Sequence, residues 1–221
     1  MGEKAWSFSA INNFESCPKK YYHLSIAKDY KEEEGEAIVY GKAVHKALEK
    51  LVQNGTPLPE RFKHMQEYVQ DFVNVPATKL CEQQLAITKD YEPCDWKDWN
   101  NAWCRAVIDL AIVGDTHAVL IDYKTGKMKD DGFTQLKLAT AIFMIHNPSI
   151  ETVDVAYLWT ENKGKRTKSS YTKSQIMELW NELLPRVEKF QRAFVEKEYP
   201  PRPSGLCKRW CPITGCPHHG E

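Results

Sequence analysis

The chain has no apolar run near the roughly 18 residues that a membrane-crossing helix requires, and its start, MGEKAWSFSA, lacks the apolar core of a secretory signal. It has no net charge, because 30 Lys and Arg balance 30 Asp and Glu. Any polyanionic partner would therefore have to be held by a local basic patch, not by a net field. Internal repeats and low-complexity segments are also missing, which excludes repeat arrays and disordered linkers. These absences point to an intracellular, cytoplasmic protein with no membrane attachment. What is present is ordinary globular material: 221 residues, 42% hydrophobic and 27% charged, enough to bury one full core. Seven cysteines, three of them crowded near the C-terminus, suit metal-ligating thiols in a reducing compartment better than a secreted disulfide framework.

The spacing predicts a short helix in SFSAINNFESC, with Ser7 or Ser9 as cap and an end near Cys17 and Pro18. Val44, Ala47, Leu48 and Leu51 form an i, i+3, i+4, i+7 stripe for a second helix, which Asn54-Gly55 stops. A third, PERFKHMQEYVQDFVNV, repeats that spacing. From Leu80 the period changes to strands: LCEQQLAIT, WCRAVIDLAIV, AVLIDYK and, after a helix at about residues 133–146, TVDVAYLWTE. NKGKR turns the last of these into TKSSYT as a basic hairpin, and Thr172 with Gln175 reads as a capping box opening a long amphipathic helix. The tail YPPRPSGLCKRWCPITGCPHHGE holds too much Pro and Gly for regular structure. The expected architecture is a single α/β domain with a helical part (1–75), a mainly antiparallel sheet flanked by helices (80–198) and a cysteine-rich tail (199–221).

Inside the apolar strands stand Asp109, Asp122 and Lys124. If GDTH closes a hairpin symmetrically about Asp115 and Thr116, Asp109 and Asp122 fall opposite each other, with Cβ atoms about 5 Å apart. Two like charges there repel unless a cation lies between them. Lys124 shares the face of Asp122, while Tyr123 points to the other side and offers its main-chain carbonyl to the metal. Hard oxygen ligands favour Mg2+ or Mn2+ over zinc. The competing reading is strand-end charges reaching solvent, or a structural Asp–Lys ion pair.

Asp109 followed by the DYK of residues 122–124 resembles the PD-(D/E)XK nuclease superfamily, and IDYKTG is similar to the form in its RecB-like branch. YGKAVHKALE resembles that branch's helical motif with a metal-binding histidine, here His45. CEQQLAI resembles the strand with a further acid, here Glu82, and SFSAINNFESCPKKYYH resembles its N-terminal segment, so the resemblance covers residues 7–217. It implies a restriction-endonuclease-like core and Mg2+- or Mn2+-dependent hydrolysis of DNA phosphodiesters. Asp109, Asp122, Lys124 and Glu82 would be catalytic, and the metal, one ion or two, would sit on His45, Asp109, Asp122 and the Tyr123 carbonyl. The branch usually has Tyr four residues after the Gln of the following helix; here Gln135 is followed by Ala139. Gln135 is therefore expected on the DNA backbone or orienting a ligand.

Phosphate contacts are expected from Lys127, Lys129, Lys163, Lys165, Arg166 and Lys168, the alternative for the hairpin being a solvated tip. Trp96, Trp99 and Trp103 are candidates for stacking on unpaired bases, or are packing residues. Cys17 with Cys207, Cys211 and Cys216 is similar to the one-early, three-late pattern that binds a 4Fe-4S cluster in CRISPR-associated and AddB-type relatives, with the middle cysteine shifted by one. Zinc is the rival, since His218 and His219 lie close by. The reading is a DNA exonuclease acting in recombination, repair or phage DNA processing, with a recombination or annealing protein as an expected partner. Its rivals are a CRISPR-type or structure-selective endonuclease and a non-catalytic DNA-binding module.

Overall fold

A computed structural model describes residues 5–129 and 132–221. The chain gathers into two compact units, Met1–Glu34 with Asn181–Glu221, and Gly35–Trp180.

The first unit holds α1 (Phe8–Ser16) and α2 (Pro18–Tyr21), the latter running into a π-helical turn over Tyr22–Ala27. Ser7 caps α1 by accepting from the Ala10 N–H at 3.2 Å, as its position before the apolar spacing predicts. Pro18 at the start of α2 gives up only an N–H that a first helical turn leaves unused. An aromatic nest fills the interior: Phe14, Tyr21 and Phe194 each meet the Phe190 ring edge-on at centroid distances of 5.3, 5.5 and 4.9 Å. Arg186 ties the two chain segments together through both carboxylate oxygens of Glu15, at 2.8 and 2.7 Å.

The second unit is a six-stranded sheet between helices. Its helices on one side are α3 (Glu36–Asn54) and α4 (Gln66–Asn74), the latter entered through a 3-10 turn over Glu60–Met65. The strands are β1 (Thr78–Ile87), β2 (Pro93–Cys94), β3 (Cys104–Val113), β4 (His117–Lys124), β5 (Thr152–Trp159) and β6 (Lys165–Thr172). On the other side lies α5 (Thr134–His146), and α6 (Ile176–Glu196) follows the sheet. The order is β2-β1-β3-β4-β5-β6, antiparallel except for β4 beside β5. That parallel pair needs a crossover, and α5 is it. The fold is the expected mixed, mainly antiparallel α/β arrangement of the restriction-endonuclease-like class.

Alternation sorts the strands onto the two helical layers. Leu110, Ile121, Tyr123 and Leu158 pack with Val44, Leu48 and Leu51 of α3 and Val69 and Phe72 of α4. Ala118, Leu120, Val153, Val155 and Tyr157 pack with Leu136, Ala139 and Phe143 of α5. One departure matters for function. Leu80 and Leu85 both join the α5 side although they stand five positions apart, an odd step that regular alternation puts on opposite faces, and so do Ile108 and Ala111, three apart. The β1–β3 ladder pairs Cys81 with Leu110 and Gln83 with Ile108 but skips the position between, where Glu82 would face Asp109. Glu82 there has φ +49°, in the left-handed region that a glutamate occupies only at a cost. Both strands thus slip one residue at the same level.

Candidate active site

The β3–β4 hairpin has the register read from its symmetry, pairing Val113 with Ala118 through Leu110 with Ile121. Beyond Leu110 the main-chain exchange gives way to a side chain: the Tyr123 N–H donates to Asp109 Oδ2 at 2.7 Å. The slip in β1 and β3 and this fork fall at one level of the sheet, so Glu82, Asp109 and Asp122 come into a row across three neighbouring strands.

The α3 side of the row receives His45. Gly41 lets α3 approach, since a Cβ there would lie 3.0 Å from Thr125 Oγ1, just past the end of β4. One turn on, His45 Nδ1 stands 3.3 Å from Asp109 Oδ2, and its ring meets Tyr123 edge-on at 5.7 Å. Ligand atoms of His45, Glu82 and Asp109 all lie within 4.8 Å of one another. Asp109 holds the His45 pKa above the usual imidazole value against the opposing pull of burial, and burial with the Asp109 charge pushes Glu82 up. A cleft of about 490 Å³ opens beside the group, lined by Gly41, Lys42, His45, Lys46, Glu49 and Glu82.

The α5 side carries the second set. Asp122 is buried, and Gln135 from the first turn of α5 donates its amide N–H to Asp122 Oδ1 at 2.8 Å while accepting from Lys124 Nζ at 2.9 Å. Lys124 Nζ also lies 2.7 Å from Asp122 Oδ2, off the line of a good hydrogen bond, and 4.9 Å from the centroid of the Tyr157 ring. Burial first, and the Asp109 charge second, push the Asp122 carboxyl up to about 7 even with Lys124 drawing it down. Three carboxyls, Glu82, Asp109 and Asp122, thus stand with two basic side chains, His45 and Lys124. A divalent cation is what such a donor set fits, and His45, Glu82 and Asp109 present one nitrogen and two carboxylates to it.

Other expected contacts are dispersed. Lys127 and Lys129 are exposed in the stretch that follows β4, and Lys163, Lys165 and Lys168 are exposed on the β5–β6 hairpin. Arg166 is spent on structure: it grips Asp71 through both carboxylate oxygens at 2.6 and 2.7 Å, donates to the Tyr68 carbonyl at 2.6 Å and lies 4.2 Å over the Phe72 ring. Trp103 is buried against Tyr91 and Trp180, so it is a packing residue. Cys17, Cys207, Cys211 and Cys216 share the first unit as partly buried free thiols. The Arg202 N–H points at Cys17 Sγ and the Ser204 N–H at Cys207 Sγ, each at 3.4 Å.

Sequence reasoning missed Glu49. It follows His45 by one helical turn, its side chain is 13% exposed, and its charge bears on Glu82 and Cys81. The i, i+4 spacing from His45 was the available signal.

A putative exonuclease from Eubacterium rectale superposes with a TM-score of 0.55 at 12% identity, covering 94% of this chain and 87% of that one. An alkaline exonuclease from Laribacter hongkongensis gives a TM-score of 0.40 at 12% identity, with 88% and 95% covered. None of the curated proteins compared matches the chain. The family model of the PD-(D/E)XK nuclease superfamily matches residues 5–105 and 104–216. With a match of that extent, the chain belongs to the PD-(D/E)XK nuclease superfamily.

Proposed function

We propose that the protein is a Mg2+- or Mn2+-dependent deoxyribonuclease that hydrolyses phosphodiester bonds at DNA ends, serving recombination, repair or phage DNA processing inside the cell. The observation that carries this reading is the meeting of two sets at the β3–β4 fork: His45, Glu82 and Asp109 on one side, Asp122, Lys124 and Gln135 on the other. An ion pair built only for stability has no use for a second and third carboxyl in its row.

His45, Glu82 and Asp109 would hold the divalent ion, with Asp122 and the Tyr123 carbonyl completing its shell. When bound, the ion supplies Lewis acidity, polarising the phosphate and lowering the pKa of water beside it. Lys124 is held by the Gln135 amide and Asp122, so its ammonium stands at a fixed point beside the acids. There Nζ orients the attacking water and neutralises charge that grows on the phosphate oxygens. Gln135 thereby acts on the lysine and the aspartate, a positioning role. Lys127, Lys129, Lys163, Lys165 and Lys168 are the phosphate contacts of this reading, and Arg166 is not among them.

The thiols of the first unit suit a 4Fe-4S cluster with a structural role. Four cysteines from the two ends of the chain lie in one compact unit, and two of their sulfurs already face main-chain N–H groups, the environment that tunes cluster thiolates. Zinc is the alternative that elemental analysis decides.

End-labelled linear DNA and closed circular DNA, each incubated with Mg2+ or Mn2+, test the activity. Label release from linear DNA alone is the expected result; nicking of the circle would replace the exonuclease by an endonuclease, and no cleavage of either would sink the hydrolase reading. Lys124→Ala is expected to lower turnover by about a hundredfold or more while Mn2+ and DNA binding persist.

A further inference from the structure

The row of acids continues along the sheet into an open track. Past the slip, Ile108 faces α5, so Arg105, Val107 and Asp109 project to the α3 side, and on β1 the partners Glu82, Gln84 and Ala86 do the same. Gln84 and Val107 face each other and are both exposed, Val107 at 42%. Four residues from Asp109, about 13 Å along the strand, the track reaches Arg105.

Arg105 ends under an aromatic stack. Its guanidinium carbon is 4.4 Å from the Trp99 ring centroid and 5.6 Å from that of Trp96. Trp99 is 77% exposed, an area that a soluble domain gains nothing by leaving in water. Nor is its loop a loose tip. Asp98 Oδ1 accepts from the N–H groups of Asn100 and Asn101 at 3.1 and 3.0 Å, Asp95 Oδ1 accepts from that of Lys97 at 2.7 Å, and Arg105 donates to the Asp98 carbonyl at 3.3 Å. The loop's two nearest carboxylates are thus engaged with its own main chain, and among the described residues Arg105 forms no ion pair. An aromatic face held out rigidly on a guanidinium that forms no ion pair has the makeup of a base-stacking platform with a phosphate anchor beneath it.

We propose that Trp99 and Arg105 form such a platform for an unpaired base, in line with the acids along β3, so that the substrate class is a DNA end presented as a single strand. The inference rests on the nuclease reading for its direction and deepens it: the platform and the acids are separated by a short run of extended nucleotides, and no duplex can lay single bases on a protein ring without unpairing. Trp96 lies beside the same guanidinium, and exposed Val107 adds apolar surface along the track.

The test is binding without turnover. In EDTA, where no cleavage occurs, labelled oligo(dT) and a blunt duplex of equal length are titrated by anisotropy against wild type, Trp99→Ala and Arg105→Lys. Trp99→Ala is expected to weaken oligo(dT) binding about five- to a hundredfold and to leave blunt-duplex binding within about twofold. Trp99→Phe is expected to restore most of the affinity, and the melting temperatures of the Trp99 variants, measured alongside, to match wild type because the ring is exposed. Equal oligo(dT) affinities for wild type and Trp99→Ala, or an equal loss on the duplex, would overturn the platform. Since the readout requires no cleavage, a platform confirmed in an inactive protein condemns only the nuclease reading, and cleavage of ends indifferent to Trp99 condemns only the platform.

Discussion

Asp122 concentrates the energetics of the site in one carboxyl. Its pKa in the folded chain stands at about 7, above the unfolded value near 4, so the native state holds this proton more tightly than the unfolded one. The stability it contributes is complete below about pH 4 and is lost as the pH rises through 7, where a buried carboxylate must exist beside Asp109. Asp122→Asn cannot ionise. In EDTA at pH 8 the variant is expected to be more stable than wild type by about 1 to 3 kcal/mol, the gap narrowing as the pH falls from 8 to 5, and Mn2+ to raise the wild-type melting temperature more than the variant's. Denaturant melts at the two pH values check this; a variant less stable than wild type at pH 8 without metal would refute it. Lys124 beside Asp122, and Asp109 at their level, were legible in the sequence because strand alternation and hairpin register are local rules; the turn of Asp109 to the α3 side, away from Asp122, was not, because β3 slips there. Glu49 and the bridging role of Gln135 were not, because each depends on which helix lands on which face of the sheet, a long-range outcome that no local pattern contains.

The elements themselves divide by where their stability comes from. Helices α3 and α6 carry their own signals, an apolar period with a Gly55 stop in one and the Thr172–Gln175 capping box in the other, and both fall where the spacing predicts. The two-residue strand β2 and the π-helical turn carry none, being stabilised by what they pack against. The β5–β6 hairpin shows the same division within one element. Its lysines read as phosphate contacts, yet its arginine closes onto α4, and Gly164, at φ +68°, sits so near Tyr68 that a Cβ would meet ring atoms at 2.5 Å. Arg166→Ala is therefore expected to cost about 1 to 2 kcal/mol of stability, through the lost bidentate pair, carbonyl bond and ring contact. Arg166 holds the Asp71 carboxyl below its usual range, so this stabilisation is present above about pH 4 and fades as the pH falls further. Lys163→Ala with Lys165→Ala should do the opposite, sparing stability while reducing the salt dependence of DNA affinity by about two ions. Swapped outcomes would return Arg166 to the DNA-binding set.

At the scale of the whole molecule, the question is what brings residue 17 and residues 207–216 into one unit. Aromatic packing of Phe14, Tyr21 and Phe190 and the Arg186–Glu15 pair do part of it, and the Arg202 guanidinium reaches the Glu15 carbonyl two residues from Cys17. The tail supplies little else of its own: Ile213 is its buried apolar side chain, and Leu206 and Trp210 are 53% and 71% exposed. A segment with so little core calls for another fastening, and a group held by Cys17, Cys207, Cys211 and Cys216, as proposed above, would provide it by closing a long loop whose entropy grows only slowly with length. Protein purified without oxygen is expected to be brown, absorbing at roughly 400 nm, and Cys17→Ser to lose that absorbance together with the protease resistance of the tail. The second unit contains none of these thiols, so Mn2+ binding at His45, Glu82 and Asp109 should persist in the same variant. A colourless wild-type protein that carries zinc on elemental analysis would assign the fastening to zinc, and metal-free protein with a protease-resistant tail would show that packing alone suffices.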